Sequence, residues 1–175
     1  MINSSFCIFL GIVAIVIFEI ICVVKKLRIK NNILGALLII YLTAVASITL
    51  FPIPFDCDNP YNQLCNFVPF ASIYSLISNG EYAVKNILGN IVMFIPFGII
   101  ITLLNYKKIS FLKLIFIGLS MSVAIEFLQF LIGYFIGYMY RSVDIDDVIL
   151  NTFGAMIGFL AVKLIPKKYI NLITE

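Results

Sequence analysis

Five long apolar stretches constrain this chain more than any other feature of its sequence. A helix needs roughly 20 apolar residues to cross the hydrocarbon core of a bilayer, which is about 30 Å thick. The stretches that meet or approach this length lie near 4–24, 33–53, 87–104, 111–133 and 146–165. The alternation of apolar and polar residues that a membrane barrel requires is not visible, and inside lipid only a helix otherwise satisfies every backbone polar group. The sequence therefore predicts an all-α, polytopic membrane protein with a bundle of about five transmembrane helices.

The composition agrees with a membrane protein. Hydrophobic residues make up 62% of the chain and charged residues only 12%, which is unlike an ordinary soluble domain. The first apolar stretch has no basic amino-terminal region and no small-residue cleavage site before Lys25, so we expect a retained span and not a signal peptide. We find no internal repeat, low-complexity tract or linker, and we expect residues 1–175 to form a single domain.

Lysine and arginine mark one side of the predicted bundle. They cluster after the first span, between the third and fourth spans and after the fifth, at Lys25, Lys26, Arg28, Lys30, Lys107, Lys108, Lys113, Lys163, Lys167 and Lys168. Only Lys85 and Arg141 remain for the opposite side. The positive-inside rule then predicts an amino terminus outside and a carboxyl terminus in the cytoplasm. Basic loops on the cytoplasmic side of the lipid bilayer explain the net charge of +3, and nucleic acid is not expected as a partner.

The loop from Pro54 to Asn86 carries two further features. The segment "FVPFASIYSLI" (67–77) predicts a short helix near 67–78 that lies at the outer membrane surface. This helix is either a plain amphipathic surface helix or part of a site. Cys57 and Cys65 face an oxidising side in this topology, and a disulfide between them is a hypothesis that sequence spacing does not decide.

A group of amide and charged side chains lies at the outer ends of the predicted spans. Its members are Asn86, Asn90, Glu126, Gln129, Arg141, Asp144, Asp147 and Asn151. If helix begins by Asp144, then Asp144, Asp147 and Asn151 share one stripe of the fifth span with two glycines. These glycines, Gly154 and Gly158, permit close approach of a neighbouring helix, for which the fourth span is a candidate. The short connection 105–110 predicts that the third and fourth spans are antiparallel neighbours.

We expect these polar side chains to share one pocket, because three helices each direct two or more of them to the outer side. An ionised carboxylate at the bilayer centre costs roughly 2.5–3.5 kcal/mol, so Glu126 should be protonated, paired with Arg141 or exposed to a wet cavity. Glu126, Asp144 and Asp147 are candidate catalytic or metal-binding residues. The candidate ligand-binding residues are Asn86, Asn90, Gln129, Arg141 and Asn151.

A structural explanation of the same residues stays open. Asp144, Asp146 and Asp147 are also the residues that a helix amino terminus favours. Gln129 and Asn151 are also suited to hydrogen bonds between helices.

The chemistry of the candidate site is that of oxygen ligands. The chain has no histidine, so zinc and haem are not expected, and a divalent cation such as Mg²⁺, Ca²⁺ or Mn²⁺ suits the carboxylates and amides better. Arg141 is suited to a phosphate or carboxylate, which at the outer leaflet a lipid or polyprenyl head group would carry. Metal-assisted phosphoryl chemistry and simple anion binding therefore both remain open.

Four segments resemble the VanZ-like family of bacterial membrane proteins. They are "NFVPFASI" (66–73), "NILGNIVMFIPFGIIITLL" (86–104), "IEFLQ" (125–129) and "RSVDIDDVILNTFGAMIGFL" (141–160). The last is the most specific, with Arg141, Asp144, Asp147, Asn151 and Gly154. The resemblance implies a multi-pass protein in the cell membrane of Gram-positive bacteria that is associated with resistance to teicoplanin, a glycopeptide that binds cell-wall precursors. It does not imply a reaction.

Two functional hypotheses follow. In the first, a membrane protein without enzymatic activity lowers the access of teicoplanin or related lipoglycopeptides to their target, by binding the drug or the cell-wall precursor at the outer leaflet. In the second, a metal-dependent enzyme acts on a lipid or polyprenyl head group, with Glu126, Asp144 and Asp147 as ligands or acid/base groups.

Overall fold

The fold is helical, as the sequence predicts. The computed structural model describes residues 1–25, 29–54, 65–79, 81–166 and 168–170, and it contains no β-strand in these ranges. The helices are α1 (Ser4–Val24), α2 (Ile29–Thr49), α3 (Ala71–Asn79), α4 (Glu81–Leu104), α5 (Phe111–Ile136) and α6 (Ile145–Leu164). All but α3 are long and apolar enough to cross a membrane. The predicted bundle of about five membrane-spanning helices is therefore confirmed.

Five helix boundaries differ from the predicted ones by three residues or more, and three of them have a clear local reason. Helices α2 and α4 begin earlier than predicted, at Ile29 and Glu81 and not near 33 and 87. Helix α2 ends at Thr49 and not near 53, because Pro52 and Pro54 offer no backbone donor and restrict the residues before them. Helix α3 begins at Ala71 and not at 67, since Phe70 has a φ of 66° that an α-helix does not accept. Helix α5 continues past 133 and stops where Gly137 turns the chain with a φ of 87°.

Helix α6 lies against both α4 and α5, and its contact with α4 is the most extensive in the bundle. A Cβ atom at Gly154 would lie 2.2 Å from the carbonyl oxygen of Ile91, and one at Gly158 would lie 2.2 Å from that of Ile95. Both contacts advance by one turn in the same direction, so α4 and α6 run parallel with their backbones touching. The prediction that these glycines face the fourth span is wrong, because they face the third span, α4. Helix α5 approaches α6 through Gly118, whose Cβ would lie 3.2 Å from that of Ala155.

Hydrogen bonds near the helix termini distinguish the two ends of the bundle. At one end the amino terminus meets the chain that follows α2, since Ile2 N–H donates to Ile53 O over 2.9 Å and accepts in return. At this end Arg141, just before α6, also contacts the carbonyl of Phe51. At the other end the Lys163 ammonium donates to Tyr106 O over 3.1 Å and lies over the Tyr106 ring. We call the first the polar end, because the candidate side chains lie there.

The proposed disulfide is not tested by the fold. Cys57 lies outside the described residues, while Cys65 is half-buried just before Asn66. The pairing of these two cysteines stays a prediction.

The glycine contact between α4 and α6 makes a testable prediction. We expect Gly154→Ala to lose about 1–3 kcal/mol of stability, because the new methyl group pushes against the Ile91 carbonyl. A matched control is Gly89→Ala on α4, where a Cβ meets nothing within 4 Å and alanine favours the helix. The measurement is the thermal unfolding midpoint of each variant in detergent. Equal midpoints for the two variants would contradict the close helix contact.

Candidate functional site

The structure brings all eight candidate side chains around one cavity at the polar end. The cavity has a volume of about 800 Å³. Its polar lining includes Asn86, Asn90, Glu126, Gln129, Arg141, Asp144, Asp147 and Asn151. Helix α3 also contributes Ser72, Ile73 and Ser75, so the surface helix lines this cavity and does not only cover the membrane surface.

Glu126 contacts the start of α6 and not Arg141. Its Oε2 accepts a hydrogen bond from the backbone N–H of Asp144 over 2.9 Å. Asp144 in turn is the N-cap of α6, and its Oδ1 accepts the N–H of Asp146 over 2.9 Å. Asp144 precedes the first residue of α6, so it does not belong to the polar stripe predicted along this helix. The stripe begins at Asp147. Glu126 and Asp144 therefore tie α5 to the amino terminus of α6.

Asn66 joins the loop before α3 to the same point. Its Nδ2 donates to Asp144 Oδ1 and to Ser72 Oγ, each over 2.9 Å. Its backbone pairs with the segment before α6, since Asn66 N–H donates to Val143 O and Ile145 N–H donates to Asn66 O. The segment that leads into α3 is thus fixed beside the start of α6.

Asp146 satisfies the amino terminus of another helix. Its side chain is 1% exposed, and its two oxygens accept the backbone N–H of Phe70 over 2.5 Å and of Ile73 over 3.0 Å. These donors surround the first turn of α3, where a carboxylate also interacts favourably with the helix dipole. The same contact holds Phe70 in its left-handed conformation. Asp146 is therefore a cap for α3, which differs from the expected role in its own helix.

Asp147 connects α6 with α4. Its Oδ1 accepts a hydrogen bond from Asn90 Nδ2, which fixes the orientation of the Asn90 amide because a carboxylate oxygen only accepts. Asp147 precedes Gly154 by seven residues, about two turns of α6, and Asn90 directly precedes Ile91 on α4, so this hydrogen bond lies on the cavity side of the glycine contact.

Arg141 and its neighbours satisfy the carboxyl terminus of α2. The Nη2 of Arg141 donates to Ile48 O over 3.1 Å and to Phe51 O over 3.0 Å. The Tyr140 hydroxyl donates to Leu50 O over 2.9 Å. Burial raises the pKa of Tyr140 while Arg141 opposes this rise, and the net increase keeps the phenol neutral as a donor. Cationic donors at the end of a helix match its dipole, so Arg141 stabilises the end of α2 through Nη2.

Two amide oxygens on the cavity have no partner. Gln129 is 8% exposed, and its Nε2 donates to Thr49 O over 3.0 Å while its Oε1 is buried without a donor. Asn151 is 1% exposed, and its Nδ2 donates to Ser122 Oγ over 2.8 Å while its Oδ1 is likewise unpartnered. A buried acceptor without a donor is unfavourable, so these two oxygens mark where a ligand would find hydrogen-bond acceptors.

The candidate metal ligands do not converge. Within the part of the chain that the structure describes, no group of three or more carboxylates, thiols or imidazoles could hold one metal ion. Glu126 on α5, and Asp144 and Asp147 at the start of α6, each use an oxygen on a hydrogen bond inside the protein.

Sequence reasoning missed several residues of this region. They are Asn66, Ser72, Ser122 and Tyr140, together with the role of Asp146. Ser122 was within reach, because it stands one turn before Glu126 on the stripe that continues to Gln129. No periodicity signals Asn66 or Tyr140, which lie in non-helical segments whose contacts are more than 70 residues away along the chain.

Comparison with known proteins decides the family. The model of the VanZ/LLP1 family matches residues 38–166. The chain belongs to the VanZ/LLP1 family. "Protein VanZ" of Enterococcus faecium is a relative with 31% identity over 140 residues, which cover 77% of this chain and 76% of the relative. No solved structure matches the chain.

The VanZ/LLP1 match has a clear relation to the fold. It begins within α2 and ends just after α6, so it contains every residue that lines the polar cavity and leaves α1 outside. Family membership and the five apolar helices together support a multi-pass membrane protein.

Two adjacent aspartates of this VanZ-family chain should respond differently to the same substitution. Asp146→Asn places an amide N–H₂ against a backbone N–H of α3, and we expect it to cost about 1–3 kcal/mol of stability. Asp147→Asn keeps an oxygen for Asn90 Nδ2, so we expect little change. Thermal unfolding in detergent measures both. A stable Asp146→Asn protein would contradict the cap on α3.

Proposed function

We propose that this chain lowers the susceptibility of its host to teicoplanin and related lipoglycopeptides, by binding a ligand in the polar cavity at the outer face of the cell membrane. The observation that carries the proposal is that the VanZ/LLP1 match contains the whole cavity lining. The drug or its cell-wall precursor target is the ligand that this function implies. The two unpartnered amide oxygens support a binding role for the cavity.

The proposal includes an orientation and a single domain. The polar end faces outside, which puts the amino terminus outside and the carboxyl terminus in the cytoplasm. The lysines of the α4–α5 turn and of the end of α6 support this orientation, because Lys163 contacts Tyr106 at the opposite end of the bundle from the cavity. Residues 1–175 act as one VanZ-like domain, in which α1 pairs with α2 through the contact of Gly11 with Thr43.

The contacts of the charged groups with helix ends favour ligand binding over catalysis. Asp144 and Asp146 cap helices, and Arg141 caps the end of α2. These contacts engage Oδ1 of Asp144, both oxygens of Asp146 and Nη2 of Arg141, and a phosphoryl-transfer site would direct such groups at its substrate.

The alternative function is a metal-dependent enzyme that acts on a lipid or polyprenyl head group with Mg²⁺, Ca²⁺ or Mn²⁺. One observation supports it: Glu126 and Asp147 line the same cavity. Two carboxylates and the amide oxygens of Gln129 and Asn151 are the oxygen ligands that it would use.

The drug hypothesis predicts a protection that depends on the cavity. A teicoplanin-sensitive host that expresses the wild-type chain should tolerate at least a few times more drug than one with empty vector. Glu126→Gln and Asp147→Asn remove cavity charges but keep the hydrogen bonds with Asp144 N–H and Asn90, so we expect them to lose protection at equal abundance. The measurement is the inhibitory concentration, with membrane levels matched by immunoblot.

The matched control is Glu19→Gln, which removes an exposed carboxylate of α1 far from the cavity lining. It should protect as well as wild type. Failure of the wild-type chain to protect would overturn the drug hypothesis. Equal protection by all variants would overturn the proposed role of the cavity in this protection.

The orientation predicts the behaviour of fusions at the carboxyl terminus of the full chain. A green fluorescent protein should fluoresce there and an alkaline phosphatase should be inactive, because the latter folds only outside the cytoplasm. An active phosphatase fusion with a dark fluorescent one would reverse the proposed orientation.

A further inference from the structure

The charged side chains that line the polar cavity are mainly carboxylates. Among the described residues of its lining are the carboxyl side chains of Glu126, Asp144, Asp146 and Asp147, and one cation, Arg141. Arg141 directs Nη2 at the carbonyls of Ile48 and Phe51. The lining therefore suits a ligand group that is positive and donates hydrogen bonds better than an anion.

The amide oxygens strengthen this argument independently of charge. Gln129 Nε2 donates to a backbone carbonyl, which only accepts, so the amide cannot turn and Oε1 must stay the unpartnered atom. Asn151 Oδ1, one helix away, also has no donor, while its Nδ2 donates to the Ser122 hydroxyl. Both side chains line the cavity and are more than nine-tenths buried, so an N–H donor of a ligand placed deep in the cavity would supply a partner that the described protein atoms do not.

A second cavity lies on the other side of Glu126 and Asp144. It has a volume of about 330 Å³, and apart from these two residues its lining is apolar: Phe67, Val123, Phe127, Phe130, Val143, Ile145 and Val148. We call it the apolar groove. Phe127 is 57% exposed and Phe67 is exposed as well, on a helix bundle whose outer surface contacts hydrocarbon. The groove therefore opens to the lipid side.

We propose that the polar cavity and the apolar groove form one site for a membrane lipid whose head group ends in a primary ammonium. The two cavities are neighbours, because Glu126 and Asp144 line both. The proposed lipid places its hydrocarbon chain in the groove and its head group beside these two residues, among the carboxylates of the polar cavity. A primary ammonium offers three N–H donors and a positive charge, which match the unpartnered amide oxygens and the carboxylates. The proposal rests on the proposed function only in taking the cavity as a ligand site, and it names the class of that ligand.

The experiment is native mass spectrometry of the detergent-purified full chain with lipids of identical acyl chains. Phosphatidylethanolamine should bind about tenfold more tightly than phosphatidylcholine, because both carry a phosphate and a positive charge but only the first has N–H donors on its ammonium. Phosphatidylglycerol, which has hydroxyl donors and no cation, should also bind more weakly. The proposal would be overturned if phosphatidylcholine or phosphatidylglycerol bound as tightly as phosphatidylethanolamine. It would also be overturned if a metal chelator abolished the binding of phosphatidylethanolamine.

Variants separate the head-group and chain contacts. Glu126→Gln and Asp147→Asn should reduce the preference for phosphatidylethanolamine over phosphatidylcholine several-fold. Val123→Trp fills the apolar groove and should weaken all three lipids, whereas Phe116→Trp, at an exposed position of the same helix outside both cavities, should not. Equal lipid binding by the two tryptophan variants would show that the groove holds no chain.

The outcomes are distinguishable from those of the drug experiment. Lipid binding uses purified protein without drug, and drug susceptibility uses cells without added lipid. Selective phosphatidylethanolamine binding in a chain that gives no teicoplanin protection would overturn the proposed function and leave the lipid site standing. Protection without selective lipid binding would overturn the lipid site alone.

Discussion

The backbone contact between α4 and α6 is the interaction on which the polar end depends. Gly154 and Gly158 let the carbonyls of Ile91 and Ile95 approach α6 directly, which holds the two helices parallel and in one register. That register puts Asp147 opposite Asn90. Any larger residue at the glycines would separate the helices and move every acceptor on α6 relative to α4. The cavity is thus a consequence of close packing several residues below it.

Unsatisfied helix ends explain why so many polar side chains occur together in an apolar chain. Without water, terminal N–H and C=O groups of a helix need partners from the protein. Asp146 supplies them for α3, Asp144 for α6, and Arg141 with Tyr140 for the end of α2. After these contacts are counted, Gln129 Oε1 and Asn151 Oδ1 are left over. The helix ends therefore account for part of this cluster, and the proposed ligand-binding role uses groups that they leave without a partner.

Much of this was predictable from local sequence, and the remainder depends on distant contacts. Apolar length located the five spans, and helical spacing collected eight residues that do line one cavity. Spacing did not show which helix the glycines face, because a glycine such as Gly154 permits the close approach of any neighbouring helix. Spacing also did not predict the different contacts of Asp146 and Asp147, since their partners Phe70 and Asn90 belong to other segments. For the same reason, spacing did not predict that Arg141 donates to carbonyls near Pro52.

The side chains that donate hydrogen bonds to the carbonyls at the end of α2 are synthesised long after α2 itself. Tyr140 follows Leu50 by 90 residues, which corresponds to roughly 5–20 s of synthesis. During this time the last carbonyls of α2 have none of their final partners. Helix α2 must therefore wait in the membrane, or with the insertion machinery, until α5 and the segment before α6 arrive. The carbonyls at the end of α2 therefore reach their final partners only after residue 141 has been made.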